Sequence, residues 1–177
     1  MRKIKLFIAS SIDGYIATPD GDLEWLTEYS NTERLGFSYR EFFSEIDAVI
    51  MGANTLRGLK SMETIVPYKG KKTYIITHNP DKKIESDSIF FISENVVNEV
   101  FALKEKNGND IALIGGSEVI KLFLQEDFID EMIILTVPIL LGEGISLFTP
   151  YFKMSKWCIF NSTLLENGLL QVVYRKM

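Results

Sequence analysis

Three short apolar runs in this chain each stop at small or polar residues just where a strand would hand over to a turn or helix. They are VIMGANTL (49–56), YIITHNP (74–80) and IALIGGSEVI (111–120). Strand-like runs that alternate with helix-like ones argue for a layered α/β fold built on parallel-type strands. A helix that starts at such a junction leaves its first backbone N–H groups without partners inside the helix, and its dipole favours negative charge there. Open α/β sheets take ligands at the carboxyl ends of their strands, so these three junctions can line one cleft.

The junction residues fit a phosphate. Gly52 permits close approach, and Asn54 and Thr55 add side-chain donors. Gly115 and Gly116 let a ligand touch the main chain, and Thr77 with His78 ends the third run. No G-x-G-x-x-G fingerprint and no Gly-Lys-Ser/Thr loop occurs, so these are neither a dinucleotide fingerprint nor a P-loop. Three junctions in one short chain nevertheless point to a nucleotide-sized, phosphate-bearing ligand.

The remaining pattern fills in around them. Lys3 to Ala9 reads as a strand, followed by a turn-rich loop through Asp13-Gly14 and Pro19-Asp20-Gly21. Thr32 is placed to cap a helix through Phe42, Phe43 and Ile46, and Asn54 or Thr55 to cap another toward Leu59. Ser93 is placed to cap a helix that ends at Asn107-Gly108, and Ser117 opens a further one. Strands are expected at 48–51, 72–77, 89–92, 111–114, 132–139, 157–165 and 169–176. Glu166-Asn167-Gly168 signals a hairpin between the last two. No repeat or linker interrupts the 177 residues, which read as a single domain, 1–177.

Composition narrows the chemistry. With 19 basic and 24 acidic residues the net charge is −5, which implies no basic face for nucleic acid or an anionic membrane. One cysteine, Cys158, permits no intrachain disulfide or multi-cysteine zinc site and reads as strand packing. One histidine, His78, excludes a His-pair metal site, so no metal is expected. The most apolar run, 132–141, is far short of the ~20 residues that span a bilayer. A cytoplasmic location is the expectation. The C-terminal strands and the VPILLGEG stretch carry much apolar surface, for which a homodimer is expected.

FIASSIDGYIA (7–17), GDLEWL (21–26), VIMGANTL, IALIGGSEVI and VPILLGEGISLF (137–148) together resemble the dihydrofolate reductase superfamily. Within it the chain is most similar to the reductase domain found C-terminal to the deaminase in bifunctional riboflavin-biosynthesis enzymes, as a stand-alone bacterial member. The resemblance implies a dihydrofolate reductase-like three-layer α/β fold: a mostly parallel central sheet, a C-terminal antiparallel hairpin and flanking helices. It also implies an oxidoreductase that uses NADPH. By position, Ala9 and Ile16 would contact the nicotinamide, and Gly52, Ala53, Asn54 and Thr55 would hold phosphates. Thr77 and His78 would lie near the adenine ribose, and Gly115, Gly116, Ser117, Glu118 and Val119 would pass under the pyrophosphate, with the 115–116 bond expected cis. Trp25 matches the tryptophan of the loop over the active site.

Two positions depart from the folate enzymes. Ala53 stands where they carry an arginine for the 2′-phosphate, and the helix after Trp25 has no acid at the place of their pterin carboxylate. Hydride transfer needs a placed acceptor and a proton source, and Asp13 and Asp22 are the acids in the expected active-site loop, with Trp25 beside them. Each also has a plain reading: Asp13-Gly14 as a turn, Asp22 as a helix cap, Trp25 as a ring packed at the cleft edge. The leading expectation is an NADPH-dependent reductase of a small heterocyclic substrate. The nearest named activity is 5-amino-6-(5-phosphoribosylamino)uracil reduction. Dihydrofolate reductase and a non-catalytic nucleotide-binding protein are the alternatives.

Overall fold

Strand β1 (Ile4–Ser11) lies deep in the sheet, and its side chains alternate between two apolar layers. Ile4, Leu6 and Ile8 pack on one side, and Phe7 and Ala9 on the other. A strand covered on both faces reads as a nearly continuous apolar run, as Leu6 to Ala9 do; Lys5, near the strand's amino end, is the exception. The computed structural model describes residues 1–29, 33–61, 68, 70–80, 87–150, 153–165 and 168–177. The expected cap Thr32 and the hairpin residues Glu166 and Asn167 fall outside them.

The elements follow in the order β2 (Tyr15–Ala17), α1 (Glu33–Ser44), β3 (Ile46–Gly52), α2 (Ala53–Ser61), β4 (Lys72–Ile76), β5 (Ile89–Ile92) and α3 (Val96–Glu105). After these come β6 (Asp110–Leu113), α4 (Ser117–Gln125), β7 (Ile129–Val137), β8 (Ile145–Ser146), β9 (Trp157–Leu164) and β10 (Leu170–Lys176). Eight strands form one sheet in the order β5-β4-β3-β6-β1-β7-β10-β9. The pairs from β5 to β7 are parallel, and β10 and β9 add an antiparallel hairpin. Phe42 and Phe43 of α1 and Leu56 of α2 cover one face. Val100 and Leu103 of α3, with Val119, Ile120, Phe123 and Leu124 of α4, cover the other. This is the three-layer arrangement of dihydrofolate reductase-like proteins.

Several local expectations give way to tertiary structure. Ile46 opens β3 instead of closing α1, because it pairs toward β6 and is buried in the core. Asn54 and Thr55 lie inside α2, which begins at Ala53 directly after the strand. Ser93 caps nothing: α3 starts after Asn95, which takes a left-handed conformation and makes no side-chain cap bond. Cys158 is exposed on the edge strand β9 rather than packed. The two-strand ribbon β2–β8 carries no clear sequence signal at all, since each strand is too short to show a period.

Charged side chains gather at the amino ends of the strands. Arg2 pairs with Asp47, and its Nε donates to the Asn109 carbonyl at 2.5 Å. Lys5 reaches Glu45 at 2.8 Å and Asp110 at 3.0 Å. Burial works against the Lys5 charge, but those two acids hold its ammonium above the usual lysine range. Burial likewise opposes the Asp110 charge, and the Lys3 amide and Lys5 outweigh it to keep that carboxyl low. Lys104 donates to the Phe128 carbonyl at 3.0 Å and to Asp130 at 2.8 Å. These contacts tie the bottom of the sheet together and leave the opposite, carboxyl end as the place for a ligand.

Candidate functional site

At the carboxyl end, β3 and β6 keep pairing past the end of β6. Ile114 N–H donates to the Ile50 carbonyl at 3.0 Å and Gly52 N–H to the Gly115 carbonyl at 3.1 Å. Gly115 sits at φ +103°, a conformation that side chains disfavour. The Gly115–Gly116 peptide is cis, as the resemblance implies. Gly116 precedes α4, whose first turn carries no side-chain cap. The amides of Ser117, Glu118 and Val119 therefore stand at a helix start of the kind that holds anions.

Hypothetical Cβ atoms measure how closely these segments meet. One on Gly52 would lie 3.3 Å from the Val119 side chain and 3.7 Å from the Gly116 nitrogen. One on Gly116 would lie 3.4 Å from Thr55 Oγ1, and one on Gly115 would lie 3.4 Å from Ile8. The structure thus brings Gly52, Thr55, Gly115, Gly116 and Val119 into one cradle, where glycine backbone packs closely against the Thr55 and Val119 side chains. The uncapped helix start beside it suits a pyrophosphate, which needs N–H donors at close range. Ala53 contributes no polar group. Asn54 is exposed and accepts a hydrogen bond from Arg57, which puts a cation one helical turn from the cradle.

The other expected residues flank this cradle. Thr77 and His78 follow β4, whose Ile76 pairs with Gly52. The Thr77 hydroxyl is engaged with Asn79 and the imidazole of His78 is exposed. Ala9 is half-buried near the end of β1 on the α1–α2 side, whereas Ile16 on β2 packs toward the α3–α4 side. Trp25 is half-buried against the core on the α1–α2 side, and its indole N–H is buried without an acceptor among the described residues. An unpaired buried donor is costly, so this atom is one that a ligand can satisfy.

The two acids differ. Asp22 is exposed and its Oδ1 accepts the Glu24 amide at 2.8 Å, a local bond at the start of a short 3-10 turn. Asp13 is held by three donors: the Ser11 hydroxyl at 2.6 Å, the Leu141 amide at 3.2 Å and the Gly142 amide at 2.7 Å. The Ser11 hydroxyl leads in keeping the Asp13 carboxyl below its usual range, against a desolvation cost and with help from the two amides. Leu141 and Gly142 are partners that no sequence pattern suggested. The spacing Ser11-x-Asp13 could have hinted at a local hydroxyl–carboxylate bond, but not at the distant amides. Among the described residues no group of three or more His, Cys, Asp or Glu is placed to hold a metal, and no helix is long and apolar enough to cross a membrane.

Comparison with known proteins gives this geometry a context. The RibD C-terminal domain family matches residues 2–170. The Bacillus subtilis protein YwjB, itself uncharacterised, is 38% identical over 147 residues, covering 83% of each chain. A Shewanella sp. PV-4 crystal structure, described under riboflavin biosynthesis, superposes with a TM-score of 0.87 at 30% identity over 99% of both chains. The Thermotoga maritima diaminohydroxyphosphoribosylaminopyrimidine deaminase/5-amino-6-(5-phosphoribosylamino)uracil reductase shares the fold at TM-score 0.75 and 19% identity. This chain spans 57% of its length, with 99% of this chain covered. Enterococcus faecalis dihydrofolate reductase, solved with NADP(H), shares the fold at TM-score 0.69 and 18% identity, covering 98% of this chain and 96% of that one.

Proposed function

The chain belongs to the RibD C-terminal domain family, and from that premise we propose that it is an NADPH-dependent reductase of a small heterocycle. The nearest named substrate is 5-amino-6-(5-phosphoribosylamino)uracil. The observation that carries the reading is the close meeting of Gly52, Gly115 and Gly116 with Thr55 at the uncapped start of α4. When bound, NADPH supplies the hydride. The protein's share is to hold, orient and exclude water.

In this reading the Ser117, Glu118 and Val119 amides bind the pyrophosphate, with Asn54 and Thr55 donating beside them. Thr77 and His78 face the ribose side. Arg57 stands in for the arginine that Ala53 lacks and reads the 2′-phosphate. Ala9 offers backbone groups, and Ile16 an apolar wall, at the nicotinamide end. The unpaired Trp25 indole N–H meets a polar edge of the heterocycle, and Asp22 orders the water that brings the proton. The shared fold and the NADP(H) of the Enterococcus enzyme support the choice of cofactor.

Calorimetric titration tests this directly. One NADPH per chain at micromolar Kd is expected, with NADH at least ~10-fold weaker, a difference of about 1.4 kcal/mol. Loss of NADPH absorbance on adding the phosphoribosylamino-uracil would identify the substrate. Binding without that turnover removes the named substrate, and binding without reduction of any heterocycle tried makes the protein a non-catalytic binder. If neither nucleotide binds, the cofactor assignment fails.

We also propose a homodimer formed through β9. This edge strand is eight residues long and carries no charge, and it leaves Ile159 65%, Phe160 58% and Leu164 68% exposed. Natural edges of that length are normally blunted by charge or covered. Sedimentation equilibrium should give a dimer for the wild type and a monomer for Ile159→Lys. A monomeric wild type would end this proposal.

A further inference from the structure

Beside the cradle, the loop after β1 and the loop after β7 are laced together by long-range bonds. Ile12 N–H donates to the Ile139 carbonyl at 2.9 Å and Leu147 N–H to the Gly14 carbonyl at 2.8 Å. Tyr15 pairs with Ser146 and Ala17 with Ile145 across the β2–β8 ribbon. At the mouth of this seam the Asp13 carboxylate takes two consecutive amides, Leu141 on Oδ1 and Gly142 on Oδ2. Ser11 completes the arrangement. Its hydroxyl donates to Asp13 and its oxygen accepts the Tyr15 amide at 2.9 Å, so one side chain links the acid to the first residue of β2.

We propose that Asp13 is a positioning residue and not the proton source: it clamps the 139–142 segment onto the 11–15 turn and thereby sets where Ile16 stands over the nicotinamide end of the site. The inference rests on the reductase reading. A proton donor must be neutral for part of its working cycle and must point a hydrogen at substrate or water. Asp13 instead presents both oxygens to N–H and O–H donors that favour its ionised form. Only a carboxylate accepts on both sides. An asparagine would turn an NH₂ group toward one of the two amides and leave that amide facing another donor.

Asp13→Asn therefore separates a clamp from an acid. Hydrogen exchange at the Leu141 and Gly142 amides should quicken by about tenfold or more as the clamp loosens. NADPH binding should weaken by about tenfold, whereas 2′,5′-ADP, which lacks the nicotinamide half, should bind within about twofold of wild type. A general loss of structure would weaken both ligands alike, and that result overturns the proposal. So does faster amide exchange with unchanged NADPH binding, or unchanged exchange. Failure of the wild type to bind NADPH sinks the reductase reading and this role with it. Normal wild-type binding with an unaffected Asp13→Asn variant sinks the role alone.

Discussion

Gly144→Ala is expected to pry β2 from β8 and weaken NADPH binding by about ten- to a hundredfold, about 1.4–2.7 kcal/mol. A Cβ at Gly144 would lie 2.2 Å from the Ala17 carbonyl oxygen and 3.4 Å from Tyr15 Cβ, and its φ of +156° already disfavours a side chain. The near obstacle is backbone, so no rotamer change relieves it. Either the ribbon separates or the residue shifts out of its conformation, at a cost of about 1–3 kcal/mol. Two strands of three and two residues resist weakly, so the strain should be released locally and the main sheet should melt almost as in the wild type. Nucleotide titration with hydrogen exchange at the Leu147 amide, which bonds the Gly14 carbonyl across the seam, checks this. Wild-type affinity in a variant with an opened ribbon would show that the seam does not position Ile16.

Phe123→Ala should lower stability globally, by about 3–5 kcal/mol, and the melting temperature by on the order of 10 °C. Phe123 is fully buried on the inner face of α4. Its ring meets Phe128 edge-on at 5.6 Å, and its carbonyl accepts the Phe128 amide at 2.8 Å just beyond the helix. Truncation removes apolar area and the aromatic contact together, and leaves a cavity between α4 and the sheet that backbone on both sides keeps from closing. Scanning calorimetry reads the shift. A drop under about 2 °C would mean that α4 collapses onto the sheet far more freely than a packed three-layer core allows.

The two variants mark where the sequence was informative. Phe123 lies in a segment that the sequence marks as a helix opening at Ser117, because helix starts and helical spacing are local properties, and the structure buries it there. Gly52, Gly115 and Gly116 were likewise legible as places of close approach. Gly144 lay inside a motif carried by family resemblance, yet nothing near it in the chain announces the Ala17 carbonyl that it must avoid. The same holds for Asp13, whose turn was readable and whose amide partners lie 128 and 129 residues away.

The sequence by itself determined the main strands and helices, the family, and the three junctions at which helices or turns follow strands. Those features depend on periodicity, on backbone freedom at glycine and on unpaired helix amides, all of which act over a few residues. Tertiary structure alone decided that Ile46 opens a strand, that Ser93 caps nothing and that β9 forms an uncharged edge. It also decided that Asp13 closes on the 139–142 segment. A side chain that can bond its own turn or a remote amide carries the same local signal in either case, and only the folded path of the chain brings the remote partner within reach.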